Sequence, residues 1–158
     1  MDRDQAQKTA LTVSLAILDG RWNDLDQLLD DQFTYTGDGF VFTKDEYIGF
    51  MQDMKAAFSD LKMEFPHTVV EDNLVSIRFI SRAVNTGKFM GAPANRKHLE
   101  IHGIFIREVK AGKVMREWQT TDILGIMRQI GFRALLGYAI FVGLLKVKQP
   151  RPKRKNNV

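Results

Sequence analysis

Glu100, His102, Trp118 and Asp122 are the residues of this chain whose types and spacing best suit acid–base chemistry. A carboxylate walled by apolar groups is a stronger base than one in water, because burial penalises its charge. Held that way, a carboxyl takes a proton from carbon and returns one to oxygen. A neutral imidazole or an amide hydrogen-bonds the oxyanion that develops. The chain has no cysteine, which excludes disulfides, thiolate metal sites and a thiol nucleophile. Its histidines, His67, His98 and His102, are too few and too scattered for a zinc site. Neither a metal nor a cofactor is expected.

Whether these side chains meet depends on one hairpin. Two alternating stretches, about 97–109 and 113–121, read as strands joined at Lys110-Ala111-Gly112. A two-residue type I′ turn would put Ala111 at positive φ, which its Cβ resists. A turn with only Gly112 in the left-handed region meets no such resistance. That turn pairs Val109 with Lys113 and sets Ile104 opposite Trp118, His102 opposite Thr120, and Glu100 opposite Asp122. Opposed residues share a face. Glu100, His102, Ile104, Trp118, Thr120 and Asp122 are therefore expected together on the concave side of the sheet. A register one residue away would send His102 to the opposite face from Asp122.

Plainer roles stay open at each position. Asp122 precedes an apolar run and suits a helix N-cap. A lone strand histidine is more often structural. Trp118 suits a core or cavity wall with its N–H seeking a partner. Glu100 suits an ion pair with Arg78 or Arg82.

The elements that would position these residues follow from periodicity. Ala6, Ala10, Leu11, Val13, Ile17 and Leu18 recur at helical spacing, and Gly20 stops that helix. A short second helix carries Leu25, Leu28 and Leu29, and Phe33 to Thr36 reads as a strand ending at Gly37-Asp38-Gly39. Thr43-Lys44-Asp45-Glu46 fits a capping box. The stripe Tyr47, Phe50, Met51, Met54 and Phe58 follows it as a third helix. After Asp60 the period becomes two: Leu61, Met63, Phe65, His67 and Val69 alternate with polar positions. Glu71-Asp72-Asn73 turns the chain, and Val75, Ile77, Phe79 and Ala83 continue the alternation. A helix with Ile123, Leu124, Ile126, Met127 and Ile130 closes the body at Gly131. Helices followed by long meandering strands make an α+β fold in one domain, with no repeat or linker.

The net charge of +4 misleads. Six cations, Lys146, Lys148, Arg151, Lys153, Arg154 and Lys155, follow Leu145 with no acid among them, and without them 17 basic residues face 19 acidic ones. The body therefore lacks the basic groove of a nucleic-acid binder. The N-terminus has no basic stretch leading into an apolar one, so a cytoplasmic protein is expected.

Several short blocks resemble the SnoaL-like polyketide (ester) cyclases, of the broader nuclear-transport-factor-2-like fold. They are Phe58-Ser59-Asp60-Leu61, the run Thr86 to Pro93, Gly112-Lys113-Val114, Glu117-Trp118, and Asp122 followed by Ile123 to Gly131. The last block, an Asp before a short apolar helix ending in Gln-x-Gly, is the most specific. The resemblance covers about residues 5–131. It implies a cone-shaped, curved, mostly antiparallel sheet wrapped around N-terminal helices, and a homodimer. It implies a cofactor-free intramolecular aldol-type ring closure on a small hydrophobic carbonyl compound. Asp122 would be the acid/base and His102 the orienting or oxyanion group. Tyr35, Phe50, Trp118, Glu100, Ile104, Thr120 and Asn85 would form the pocket. Asn85-Thr86-Gly87 stands where the family often has His-Thr-Gly, and Pro93-Ala94-Asn95-Arg96 where it often has a Pro-Thr-Gly turn. Relatives of this fold that only bind ligands make a non-catalytic binding or dimerisation module the alternative reading.

Residues 132–158 read as an extension beyond a 1–131 domain. Its apolar part, Phe132 to Leu145, is too short to span a bilayer. Packing over the cavity mouth, packing between subunits, or resting on a membrane surface through residues 132–155 are the roles it suits.

Overall fold

A computed structural model describes residues 2–89, 93–130 and Leu136. Helix α1 (Arg3–Asp19) is followed by α2 (Trp22–Leu28), β1 (Leu29–Gly37), β2 (Phe40–Thr43) and α3 (Lys44–Ala57). Strands β3 (Phe58–Glu71), β4 (Leu74–Asn85), β5 (His98–Lys110) and β6 (Lys113–Thr121) then precede α4 (Ile123–Ile130). The strands form one six-stranded sheet in the order β2-β1-β6-β5-β4-β3. Only the β1–β6 pair is parallel. This is the expected α+β architecture, a curved, unclosed sheet with the N-terminal helices against one face. Among the described residues no helix is long and apolar enough to cross a membrane. Gly131, the proposed boundary, and the extension after it lie outside the described residues, Leu136 apart.

Local chemistry accounts for the helix ends. Gly20 takes φ 72° at the C-cap of α1, a conformation that glycine adopts without a Cβ penalty. At the start of α3 the Glu46 carboxylate accepts from the Thr43 N–H at 2.8 Å and from its hydroxyl at 2.9 Å. One side of the sheet then buries Ala10, Val13 and Ile17 of α1 and Tyr47 and Met51 of α3 against Val75, Ile77, Phe79, Phe105 and Val109.

Four expectations are corrected. Strand β2 was not expected, and Leu29 begins β1 rather than ending α2. In β3 an extra residue enters between Glu64 and His67, where Pro66 withholds a ladder N–H. The bulge resets the alternation, so Val69 is 65% exposed while Thr68 and Val70 turn inward. The β5–β6 turn is the two-residue form, with Ala111 at φ 51° and Gly112 at 78°, and Lys110 pairs with Lys113. A further shift between Glu108 and Val109 sets Trp118 opposite Ile106 and Thr120 opposite Ile104. Two one-residue displacements in the same direction sum to two. The residues expected on one face therefore do share it, although their partners differ.

Candidate functional site

That shared face is the outer one. In β5 the inward file is Leu99, Phe105, Arg107 and Val109, all buried. His98, Glu100, Ile104 and Ile106 point away, with Ile104 at 48% exposure. Trp118 (38% exposed) and Thr120 lie on the same outer surface. The expectation that Glu100, His102, Ile104, Trp118 and Thr120 line the concave side is thus corrected. The helices cover the more apolar file, and a file carrying His and Glu faces water. There the Glu100 carboxylate pairs with Arg82 Nε at 2.7 Å and His102 Nε2 at 2.8 Å. These contacts, His102 first, hold Glu100 below the usual carboxylate range. Asp122 is exposed and accepts from the Gly125 N–H at 2.8 Å, the helix-capping geometry. It does not line the interior cavity.

The interior cavity has a volume of about 280 Å³. Phe50, Met51 and Met54 of α3 wall one side, and Phe79, Leu99 and Phe105 of the sheet another. Of the expected pocket residues, Tyr35, Phe50 and Asn85 line it. The Phe50 ring lies 5.2 Å from that of Phe42 and 5.6 Å from that of Phe89, within an aromatic wall. Asn85 donates to the Gly87 carbonyl at 2.9 Å and accepts from the Asn95 N–H at 2.9 Å. Its amide therefore braces the β4–β5 connection.

The cavity floor is polar, and sequence reasoning missed most of it. Arg107 and Glu117 are 2% and 1% exposed and pair at 2.6 Å. A buried carboxylate or guanidinium is tolerable only when its remaining hydrogen-bonding groups are also met. Tyr47 donates to Glu117 at 3.2 Å. Arg107 donates to Ser14 Oγ at 2.8 Å and to the Ala10 carbonyl of α1, and its guanidinium lies 4.1 Å from the Phe105 ring centroid. Burial first, and the Glu117 charge next, pushes the Tyr47 phenol far above the ordinary tyrosine range. The cluster ties α1, α3, β5 and β6 together. A positional signal existed for Arg107 alone, which shares its strand parity with Leu99, Ile101, Phe105 and Val109, whereas the odd file of β6 that carries Glu117 is mostly polar.

Above this floor, Tyr35 comes from β1 and is 2% exposed. Burial, then the charges of Glu117 and Asp38, raises its phenol so that it stays protonated at every physiological pH. Every fully buried side-chain nitrogen or oxygen among the described residues has a partner. The Tyr35 hydroxyl has no partner among those residues, so it opens on the cavity as a free donor. Gly37 makes this possible, because a Cβ there would lie 2.8 Å from the hydroxyl and 2.5 Å from the Gln119 carbonyl. Asp38, half-buried at the cavity wall, accepts from the Thr121 N–H at 2.8 Å and its hydroxyl at 2.6 Å. Among the described residues no group of His, Asp or Glu is arranged to hold a metal.

The family model described as SnoaL-like polyketide cyclase matches residues 8–130. TsrD from Streptomyces laurentii superposes with a TM-score of 0.74 at 21% identity, covering 83% of this chain and 98% of that one. IdmH from Streptomyces antibioticus gives 0.72 at 20% identity, covering 81% and 99%. An LEH-like epoxide hydrolase from M. tuberculosis gives 0.66 at 12% identity, covering 90% and 98%. At these identities the likeness shows the fold. No curated protein matches the chain.

Proposed function

The chain belongs to the SnoaL-like polyketide cyclase family, and from that membership we propose cofactor-free acid–base chemistry on a small hydrophobic carbonyl compound held in the interior cavity. The observation that carries this reading is Tyr35: a buried residue whose protonated hydroxyl opens on an apolar cavity with no partner among the described residues. Such a donor stabilises the negative charge that forms on a carbonyl oxygen when a neighbouring carbon loses its proton. Such stabilisation is strongest where the donor is held in place and bulk water is kept out. IdmH carries a provisional assignment as a polyketide cyclase, and the mycobacterial neighbour is named an epoxide hydrolase. Both names lend support to an enzyme in this cavity.

The test is solvent-deuterium exchange at the α-carbon of small aryl ketones and β-keto esters, followed by NMR. Wild-type protein should accelerate exchange, and Tyr35→Phe should lower the rate about 100-fold, the scale for removing one oxyanion donor. Ligands that bind in both proteins without exchange would favour a binding module instead. One observation leans that way: Asp122 is bonded to a helix amide rather than turned inward.

The proposal extends to a homodimer. Val41, Ile104, Ile106 and Trp118 leave an apolar patch on the outer face, each between 37% and 48% exposed, which a second copy of the chain would cover.

A further inference from the structure

Acid–base chemistry in this cavity requires a group that takes a proton from carbon, and the identity of that group rests on the proposed function. Two carboxylates line the cavity among the described residues, Asp38 and Glu117. Glu117 is committed: its oxygens receive Arg107 at 2.6 Å and Tyr47 at 3.2 Å, and protonating it would strand a buried guanidinium.

Asp38 is placed differently. Its partners are neutral: the Thr121 N–H at 2.8 Å, the Thr121 hydroxyl at 2.6 Å and the Gln119 amide at 3.5 Å. They orient the carboxylate and leave part of its accepting capacity free, since an ionised carboxylate has about four lone-pair sites. Asp38 also borders the groove on the outer face, between the cavity and solvent. A proton gained inside therefore has a way out to water. The backbone holds it at φ 50° and Gly39 at 88°, which reverses the chain between β1 and β2. Asp-Gly is a favoured pair for such a two-residue turn, so the turn itself fixes where the Asp38 carboxylate starts. The Asp38 charge also reaches Tyr35, helping to keep that phenol protonated.

We propose that Asp38 is the general base of the cavity, removing a proton from carbon while Tyr35 holds the oxygen that receives the charge. Asp122 takes no part in this step, since it is exposed at the start of α4 and does not line the cavity.

The probe is 5-nitrobenzisoxazole, an apolar carbon acid of small size. Asp38 takes the proton from C3, the C–H electron pair completes the nitrile, and the N–O bond breaks. The coloured phenolate leaves with the negative charge, and Asp38 releases its proton to water. The full chain should turn the probe over above the rate in matched buffer. Asp38→Asn, which keeps the turn because Asn tolerates positive φ, should lose about 100-fold in kcat/KM. Asp122→Asn should stay within twofold of wild type. Asp38→Ala with added acetate is the second arm, and acetate should restore rate there but not in wild type. An Asp38→Asn rate equal to wild type, or Asp38→Ala unresponsive to acetate, overturns Asp38 as the base while leaving the cavity chemistry standing. A wild-type rate no greater than buffer overturns the acid–base reading itself, and Asp38 with it.

Discussion

Asp122 accepts from the Gly125 N–H, and Gly125 has a reason of its own to be glycine. A Cβ there would lie 2.3 Å from an Asp122 carboxylate oxygen. Helix propensity alone would have Gly125→Ala stabilise by about 1 kcal/mol. The collision reverses that sign, because the substitution displaces the cap. Asp122→Ala should lower stability by about 1 kcal/mol in urea denaturation, and Gly125→Ala should also destabilise. A stabilised Gly125→Ala would show that the cap contributes nothing. The polar residues of the cavity were only partly legible. Tyr35, Phe50 and Asn85 could be placed in the pocket from sequence, whereas Arg107 and Glu117 could not. A charged residue inside a strand ordinarily marks the solvent face, and only its partner shows otherwise. That partner lies ten positions away in sequence, and Tyr47, which completes the cluster, lies seventy away.

At the scale of elements the β5–β6 hairpin is the instructive case. Ala111 was expected to refuse positive φ, yet it sits at 51°. Left-handed geometry costs an L-residue about 1–2 kcal/mol, and the pairing of two long strands outweighs that. Ala111→Gly should therefore raise stability by up to about 1 kcal/mol, read as a higher denaturation midpoint with an unchanged slope. An unchanged or lower midpoint would mean that the turn is not strained. The same element shows why register resists sequence reasoning. Turn length and one bulge each moved the pairing by a single residue, and neither has a signature in β5 or β6 alone. Helix α4 offers a compensating device. Strand β6 ends at Thr121, opposite Gly103, and beyond it the Gln129 side-chain amide bonds both backbone groups of Glu100 at 2.7 Å. Gln129 thus has a structural role, standing in for a missing strand partner.

For the molecule as a whole, the apolar outer patch sets the assembly expectation. Trp118→Asp puts a charge at its centre and should convert a dimer to a monomer in sedimentation velocity. Identical sedimentation of the two proteins would remove this face as the interface. The helices, most strands and the α+β class were legible because periodicity is local: three to four residues per helical turn and two per strand repeat. The alternation of Val75, Ile77, Phe79 and Ala83 in β4 survives intact in the fold. What the amino-acid order determined by itself is therefore the set of elements, their amphipathic stripes and the family they signal. Tertiary structure alone decided which face of the sheet the helices cover, where bulges reset β3 and β6, and that Arg107 and Glu117 are buried as a pair. A strand pattern states only that two faces differ. Which one becomes the interior depends on the apolar area, and on the partners for buried charge, that distant segments bring to it.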